Sequence, residues 1–215
     1  MFLGHYALAL GAKRSTPRTS LGILIAAAQF PDLLWPVFLL LGWEHVAPGD
    51  HGFTTLSFTD YPWSHSLVTV VGWALLAGAV YWLWKRGDRR GAIWVPVLVL
   101  SHWLLDYGTH LPDLPLYPGG PERVGLGLWR HPAATILIEG AMWVGGLALY
   151  LKTTRARDRT GVYAFWSLIA LLVFIYIGNI MAEPPADMRN AAWGAMAGLI
   201  VPFWAAWADR HREAV

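Results

Sequence analysis

Apolar residues in this chain come in long runs separated by short stretches rich in charge, glycine and proline. The runs fall at 21–42, 64–84, 92–107, 133–151, 162–182 and 190–208, after a shorter one from Phe2 to Ala12. Most approach the ~20 residues that carry a helix across a bilayer. The pattern predicts an all-α, polytopic transmembrane helix bundle with six spans plus a short N-terminal helix that is only partly inserted. The third run is short, and its helix crosses only if it continues through His102 and Asp106. No internal repeat, low-complexity tract or second domain interrupts the order, so residues 1–215 read as one transmembrane domain.

Composition strengthens this reading. The chain is 56% hydrophobic and 14% charged, with mean hydropathy +0.41, whereas a soluble domain carries about 25% charged residues. The 14 Trp suit bilayer interfaces. Cysteine is absent, which excludes disulfides, thiolate metal sites and cysteine nucleophiles. Phe2–Ala12 has no basic residue before it and Lys13-Arg14 after it. That order is wrong for a cleavable signal peptide, so the segment is expected in the mature protein.

Charge placement sets the orientation. Of the 16 Lys and Arg, only Arg123, Arg130 and Arg189 fall on one side of the predicted topology. The positive-inside rule makes the other side cytoplasmic, C-terminus included, and predicts a multi-pass protein of the cell's inner membrane. The long loops 43–63 and 108–132 then lie outside, where function concentrates. The basic residues hug the membrane edge as topology signals do, which argues against nucleic-acid binding. No glycine-rich phosphate loop is present, so nucleotide-driven chemistry is not expected.

Placed on this topology, the buried ionisable residues are lopsided. Asp32 follows Pro31 about 16 Å from the inner end of its span, counted at ~1.5 Å per residue. Pro31 should kink the helix there and open room for an ion or water. His65 begins the next span, with Ser64 as its expected cap. His102 and Asp106 share a helix face at the outer end of the third, and His110 joins them if the helix survives Gly108. Glu139 lies about two turns into the fourth span, and His5 near mid-depth in the first segment. These groups fall in the outer half of the membrane and predict one site there. Imidazole and carboxylate are ligand types for zinc or a similar divalent metal. The bland readings are a helix-pairing His102–Asp106 hydrogen bond, a protonated packing acid at Asp32, a solvated His65 and a Glu139–Arg130 pair. His131 marks a helix entrance, and His45 and His51, with Glu44 and Asp50, read as a solvated loop. His211 belongs to the charged tail.

The order Gly4-His5, Pro31-Asp32, Ser64-His65-Ser66 and His102-x-x-x-Asp106 resembles the bacterial and archaeal membrane-bound metal-dependent hydrolases. The best-known members of that family are DNA-damage-regulated inner-membrane proteins. His102 to Pro118 and Gly125-Leu126-Gly127-Leu128-Trp129 look like one subgroup of it. The likeness covers roughly residues 1–140, leaving the spans from 160 to 208 as accessories. It departs at Leu34, where the family often has a second acid, and at Asp60-Tyr61-Pro62, where it often has His-Arg-Gly. The family is distantly similar to zinc-dependent phospholipases C and single-strand nucleases. The resemblance implies that His65, His102 and Asp106 hold one metal, with Asp106 able to bridge to a second. By the same resemblance His5 and Glu139 are candidates for further ions, while His110 joins the expected metal set from its place on the helix face, for one to three ions in all, zinc before manganese. Asp32 would be a ligand or the base that orients water.

The leading expectation is therefore a metal-dependent hydrolase of a membrane lipid phosphoester, a phosphodiesterase type of reaction. Asp32 or Glu139 would activate water, and Arg123 or Arg130 would meet a lipid phosphate. Rival expectations are amide or ester hydrolysis of the ceramidase type, cation or proton transport, and a non-catalytic metal staple. Oligomeric state is not legible.

Overall fold

The computed structural model describes residues 1–49 and 52–215, so Asp50 and His51 of the expected solvated loop lie outside the described residues. The helices are α1 (Leu3–Ala12), α2 (Leu21–Ala28), α3 (Phe30–Leu40), the single turn α4 (Pro62–His65), α5 (Leu67–Trp84) and α6 (Arg89–Thr109). They continue with α7 (Pro132–Thr153), α8 (Arg159–Met181), α9 (Met188–Met196) and α10 (Ile200–Arg210). Side-chain caps start many of them: Ser20, Ser66, Asp88, Asp158 and Asp187 each accept a backbone N–H of the turn that follows. Ser66, rather than Ser64, caps α5, because Ser64 sits one turn earlier inside α4.

Helices occupy all six predicted segments, and length and apolarity mark four or five of them as able to cross a membrane. Among the described residues these are α5, α7, α8 and the run Met188–Arg210, with α2 and α3 a fifth if that bent pair is one span. The pair bends by 58°. The break falls at Gln29, and Pro31, which has no N–H to donate, sits in the first turn of α3 where none is needed. Helix α6 is not among these spans. Pro96, His102 and Asp106 interrupt its apolar run.

The loops depart from the purely helical expectation. Three antiparallel two-stranded ribbons join β1 (His45–Pro48) to β2 (Leu56–Asp60), β3 (Leu114–Pro115) to β4 (Arg123–Val124) and β5 (Thr154–Ala156) to β6 (Arg212–Ala214). They are short pairings between loop segments, and the structure is 67% helical with no closed sheet among the described residues.

Helix α1 is too short to cross a bilayer and instead forms the centre of the bundle. Leu3, Tyr6, Ala9, Leu10 and Ala12 are buried in one apolar core with α2, α6, α7, α8 and α10. Small residues allow the approach: a Cβ on Gly146 of α7 would strike the backbone of Ala7. At the basic end, Lys13 makes a buried ion pair with Asp209 at 2.6 Å. Asp209 also accepts from Leu21 N and from the Tyr150 hydroxyl, so one carboxylate ties α1, α2, α7 and α10 together.

Two predictions follow from these contacts. Gly146→Ala should destabilise the protein by about 1–3 kcal/mol through overpacking. Gly140→Ala, at a position with open space around it, should not; thermal unfolding in detergent compares them. Asp88 starts the helix that carries the central motif. Partial burial alone would raise its carboxyl, but hydrogen bonds from Tyr81, Gly91 and Thr19 overcome this and hold it below the ordinary carboxylate range. Its stabilisation is present above the unfolded-state pKa of about 4 and lost as pH falls through the lower folded value. Asp88→Asn should accordingly flatten the acid limb of a stability–pH curve measured by melting temperature.

Candidate metal centre

Four parts of the chain converge at one end of the bundle. Helix α1 brings His5 near its N-terminus, and the α2–α3 break brings Asp32. The α4–α5 junction brings His65, and α6 brings His102 and Asp106. Helix α6 runs through Gly108 to Thr109 with His110 as its C-cap, so His110 reaches the same face. His5, His65, His102, Asp106 and His110 are all buried, at 3% exposure or less. The Asp32 side chain is 41% exposed and is the member open to solvent or substrate.

The Asp106 carboxylate is the focus. Its Oδ1 lies 3.1 Å from His5 Nε2 and accepts from the Met1 α-ammonium. Its Oδ2 lies 3.0 Å from His102 Nε2, 3.8 Å from His65 Nε2 and 4.0 Å from His110 Nε2. Asp32 Oδ1 is 3.4 Å from His65 Nε2 and 3.7 Å from His102 Nε2. The rings of His5 and His102 stack at 3.8 Å.

The outer nitrogens explain this convergence. His102 Nδ1 is 2.8 Å from the carbonyl of Ala28, the last residue of α2. A carbonyl only accepts, so Nδ1 carries the proton. His110 Nδ1 meets Asp113 Oδ1 at 3.0 Å, and Tyr61 donates to the same oxygen at 2.8 Å. His65 Nδ1 lies 2.6 Å from Ser64 Oγ, whose hydroxyl donates to Glu44 Oε2 at 2.7 Å. Ser64 therefore accepts from His65. In each ring the neutral form leaves Nε2 as a bare lone pair turned toward the acids.

Glu44 is the residue that sequence reasoning missed. Expected in a solvated loop, it is 1% exposed. Its Oε1 accepts from the backbone N–H groups of Trp63 and Ser64 at 2.8 and 2.7 Å. The β1–β2 ribbon turns the chain back so that α4 meets residue 44, and no local signal announces that turn. Its proximity to the Ser-His-Ser motif is purely tertiary. His45, its neighbour, is exposed as expected.

Other predicted residues lie elsewhere. Glu139 Oε2 accepts from the backbone N–H groups of Phe2 and Gly4 at 3.0 and 3.4 Å. It caps the first turn of α1 from α7 and does not pair with Arg130. Arg123 donates to the carbonyls of Gly120 and Glu122, which hold its guanidinium on the loop. Arg130 is exposed, and among the described residues no ion pair draws either arginine to the acids. His131 is also exposed. The loop 108–132 folds back over the site instead, with Trp129 packed on His110 at 4.1 Å between ring centroids. Gly127 N donates to His110 O, and Gly125 lies so close to Leu111 O that a side chain would not fit.

The donor set fits a divalent cation. Ligand atoms of His65, His102 and Asp106 lie within 4.8 Å of one another, and so do those of His5, Asp32 and His102. Among the described residues His102 Nε2, His5 Nδ1 and Glu139 Oε1 are buried with no hydrogen-bond partner. Unless the His102 ring is doubly protonated, its lone pair faces a carboxylate oxygen across 3.0 Å. A cation near both relieves that repulsion. Zinc takes such nitrogen and oxygen donors at about 2.0–2.2 Å, and the absence of thiolates leaves manganese acceptable too.

No family model matches the chain, and no solved structure matches it significantly. A stretch of 88 residues, 39% of the chain, is 34% identical to the heme A synthase of Chelativorans sp. (strain BNC1). The match spans about a quarter of that protein's length, 24%. Taken with the apolar helices, the fold is that of a multi-pass helical membrane protein with a buried histidine–aspartate cluster at one end.

Ser64→Ala should remove the acceptor that holds the proton on His65 Nδ1. Nitrogen NMR of labelled histidine should then show His65 as a mixture of tautomers, while His102, anchored by a backbone carbonyl, stays unchanged.

Proposed function

We propose that the cluster binds one or more divalent metals, zinc first, and that the protein hydrolyses a lipid phosphoester. The observation that carries this reading is the set of imidazoles anchored through Nδ1 by a carbonyl, a carboxylate and a serine–glutamate relay, all presenting Nε2 to Asp106 and two of them, His65 and His102, to Asp32 as well. Orientation of ligand histidines by such partners is characteristic of metal centres, and losing one typically costs 10–100-fold in affinity. His65, His102 and Asp106 would hold the first ion, with His5, Asp32 and His110 available to it or to a second. The chemistry such an ion supplies when bound is acidification of water and polarisation of a phosphoryl or acyl oxygen.

The remaining work falls to the chain's own groups. Asp32, the exposed acid, is placed to orient a water and accept its proton. Glu139 acts at one remove, by holding the N-terminal turn of α1 and with it His5. Trp129 and the folded outer loop shield His110. Neither Arg123 nor Arg130 is needed to build the cluster, and their contact with a lipid phosphate is the part of the proposal that rests on the loop's position alone.

Six spans follow if α6 crosses with its polar face turned inward to the cluster. The positive-inside rule then orients the basic end to the cytoplasm and the cluster to the outer leaflet. A lipid reaches such a site sideways between helices. Transport is disfavoured, since among the described residues the buried acids and histidines lie at the cluster end, apart from Asp209, which Lys13 neutralises. The partial likeness to heme A synthase covers too little of that protein to carry its activity across.

Elemental analysis of detergent-purified protein tests the reading. Wild type should carry about one or more zinc or manganese per chain, and His102→Ala and Asp106→Asn should both lose it. Metal-loaded wild type should then release headgroup or phosphohead product from phospholipid vesicles, with Asp32→Asn at least 100-fold slower. A wild type that binds no metal after reconstitution would falsify the proposal.

A further inference from the structure

A second feature lies at the opposite end of the bundle. Helix α1 runs from His5 to Lys13, roughly 12 Å at ~1.5 Å per residue, from the cluster to the basic end. There a groove of about 710 Å³ opens between α2, the end of α5 and α10. Its apolar lining comes from Ile23 and Ala26 of α2 and from Ala206 and the exposed Phe203 of α10. Its mouth carries Arg18, Lys85 and Arg210, all exposed. Among the described residues none of the three has a hydrogen bond or ion pair with an acid. Arg18 lies within electrostatic range of Asp88, but the Asp88 oxygens are already bonded to Tyr81, Thr19 and Gly91.

The acids that line the groove are both spoken for. Asp209 is neutralised by Lys13 at 2.6 Å, and Glu213 is bound by Arg155 at 2.7 Å. Arg212 adds a further cation, its guanidinium held in place by the carbonyls of Thr154 and Gly161. The groove is thus a net-positive mouth on an apolar trough at the end of membrane-length helices. An inorganic anion satisfies the mouth alone, and a neutral lipid satisfies the trough alone.

We infer that this groove holds an anionic glycerophospholipid, its phosphate at Arg18, Lys85 and Arg210 and an acyl chain along Ile23, Ala26 and Phe203. Charge complementarity and the continuity of the basic mouth with the apolar trough select this ligand class. Basic pockets between helices near the cytoplasmic surface are suited to such headgroups. The inference does not depend on the metal centre.

The test measures binding of phosphatidylglycerol to the purified full chain by native mass spectrometry, beside phosphatidylcholine and beside soluble glycerol phosphate. Phosphatidylglycerol should be retained preferentially. The Lys85→Gln/Arg210→Gln variant should lose on the order of fivefold per charge removed, from ~1 kcal/mol per basic residue near the membrane. Arg157→Gln/Arg159→Gln, exposed basic residues outside the groove, should retain wild-type binding. Equal losses in both variants would mean diffuse surface attraction and overturn the site. Glycerol phosphate binding as tightly as the lipid would overturn the lipid assignment. Phe203→Ser, which keeps every charge, should weaken lipid binding without altering the response to glycerol phosphate; no effect on the lipid would likewise overturn it.

Discussion

A carboxylate buried at the end of an apolar helix is the constraint around which this molecule is arranged. Asp106 is 2% exposed, and an unpaired charge in such surroundings costs many kcal/mol. Imidazoles from α1, α6 and the α4–α5 junction, together with the Met1 ammonium, gather around it. Each of these partners has its own structural requirement. His5 requires the short α1 to be buried at the centre, His102 requires the α2 carbonyl exposed by the break at Gln29, and His65 requires Ser64 and Glu44. The loops, the break and the close α1–α7 packing can all be traced to satisfying one acid.

This dependence also explains what the sequence made legible. His102, Asp106 and His110 share a face because of helix periodicity, which is local, and their grouping was readable once a helix through Gly108 was assumed. Asp32 and His65 came from counting depth along apolar runs, and the structure does bring them to the same place. Glu44 was out of reach. It follows the end of α3 in a polar stretch, and only a ribbon whose pairing is set by long-range geometry carries it under α4. The same holds for Glu139, whose bond to the first turn of α1 spans 137 positions and has no local signal. Capping followed a finer rule than residue type. Two serines flank His65, and which one caps α5 depends on where the preceding turn ends.

The count of spans shows a related limit of pattern reading. Apolarity alone identifies helices such as α5 and α8, because no acid or histidine interrupts their apolar run. The helix that carries the chemistry is the one whose apolar run is interrupted, so the property that makes α6 functional also weakens its signature. Composition and function pull in opposite directions along the same helix.

The central position of α1 has a consequence for how the protein is made. Its principal partner, α7, lies more than a hundred residues further along the chain. Helix α1 is too short to insert stably by itself, and part of its apolar surface stays uncovered until α7 has been made. Contacts this distant in sequence form late. His5 rides on the helix that α7 covers, so the cluster gains its full support only once the seventh helix is in place. A chain stopped before α7 would keep α1 against α2 and α6 but would lack the helix that covers its remaining face.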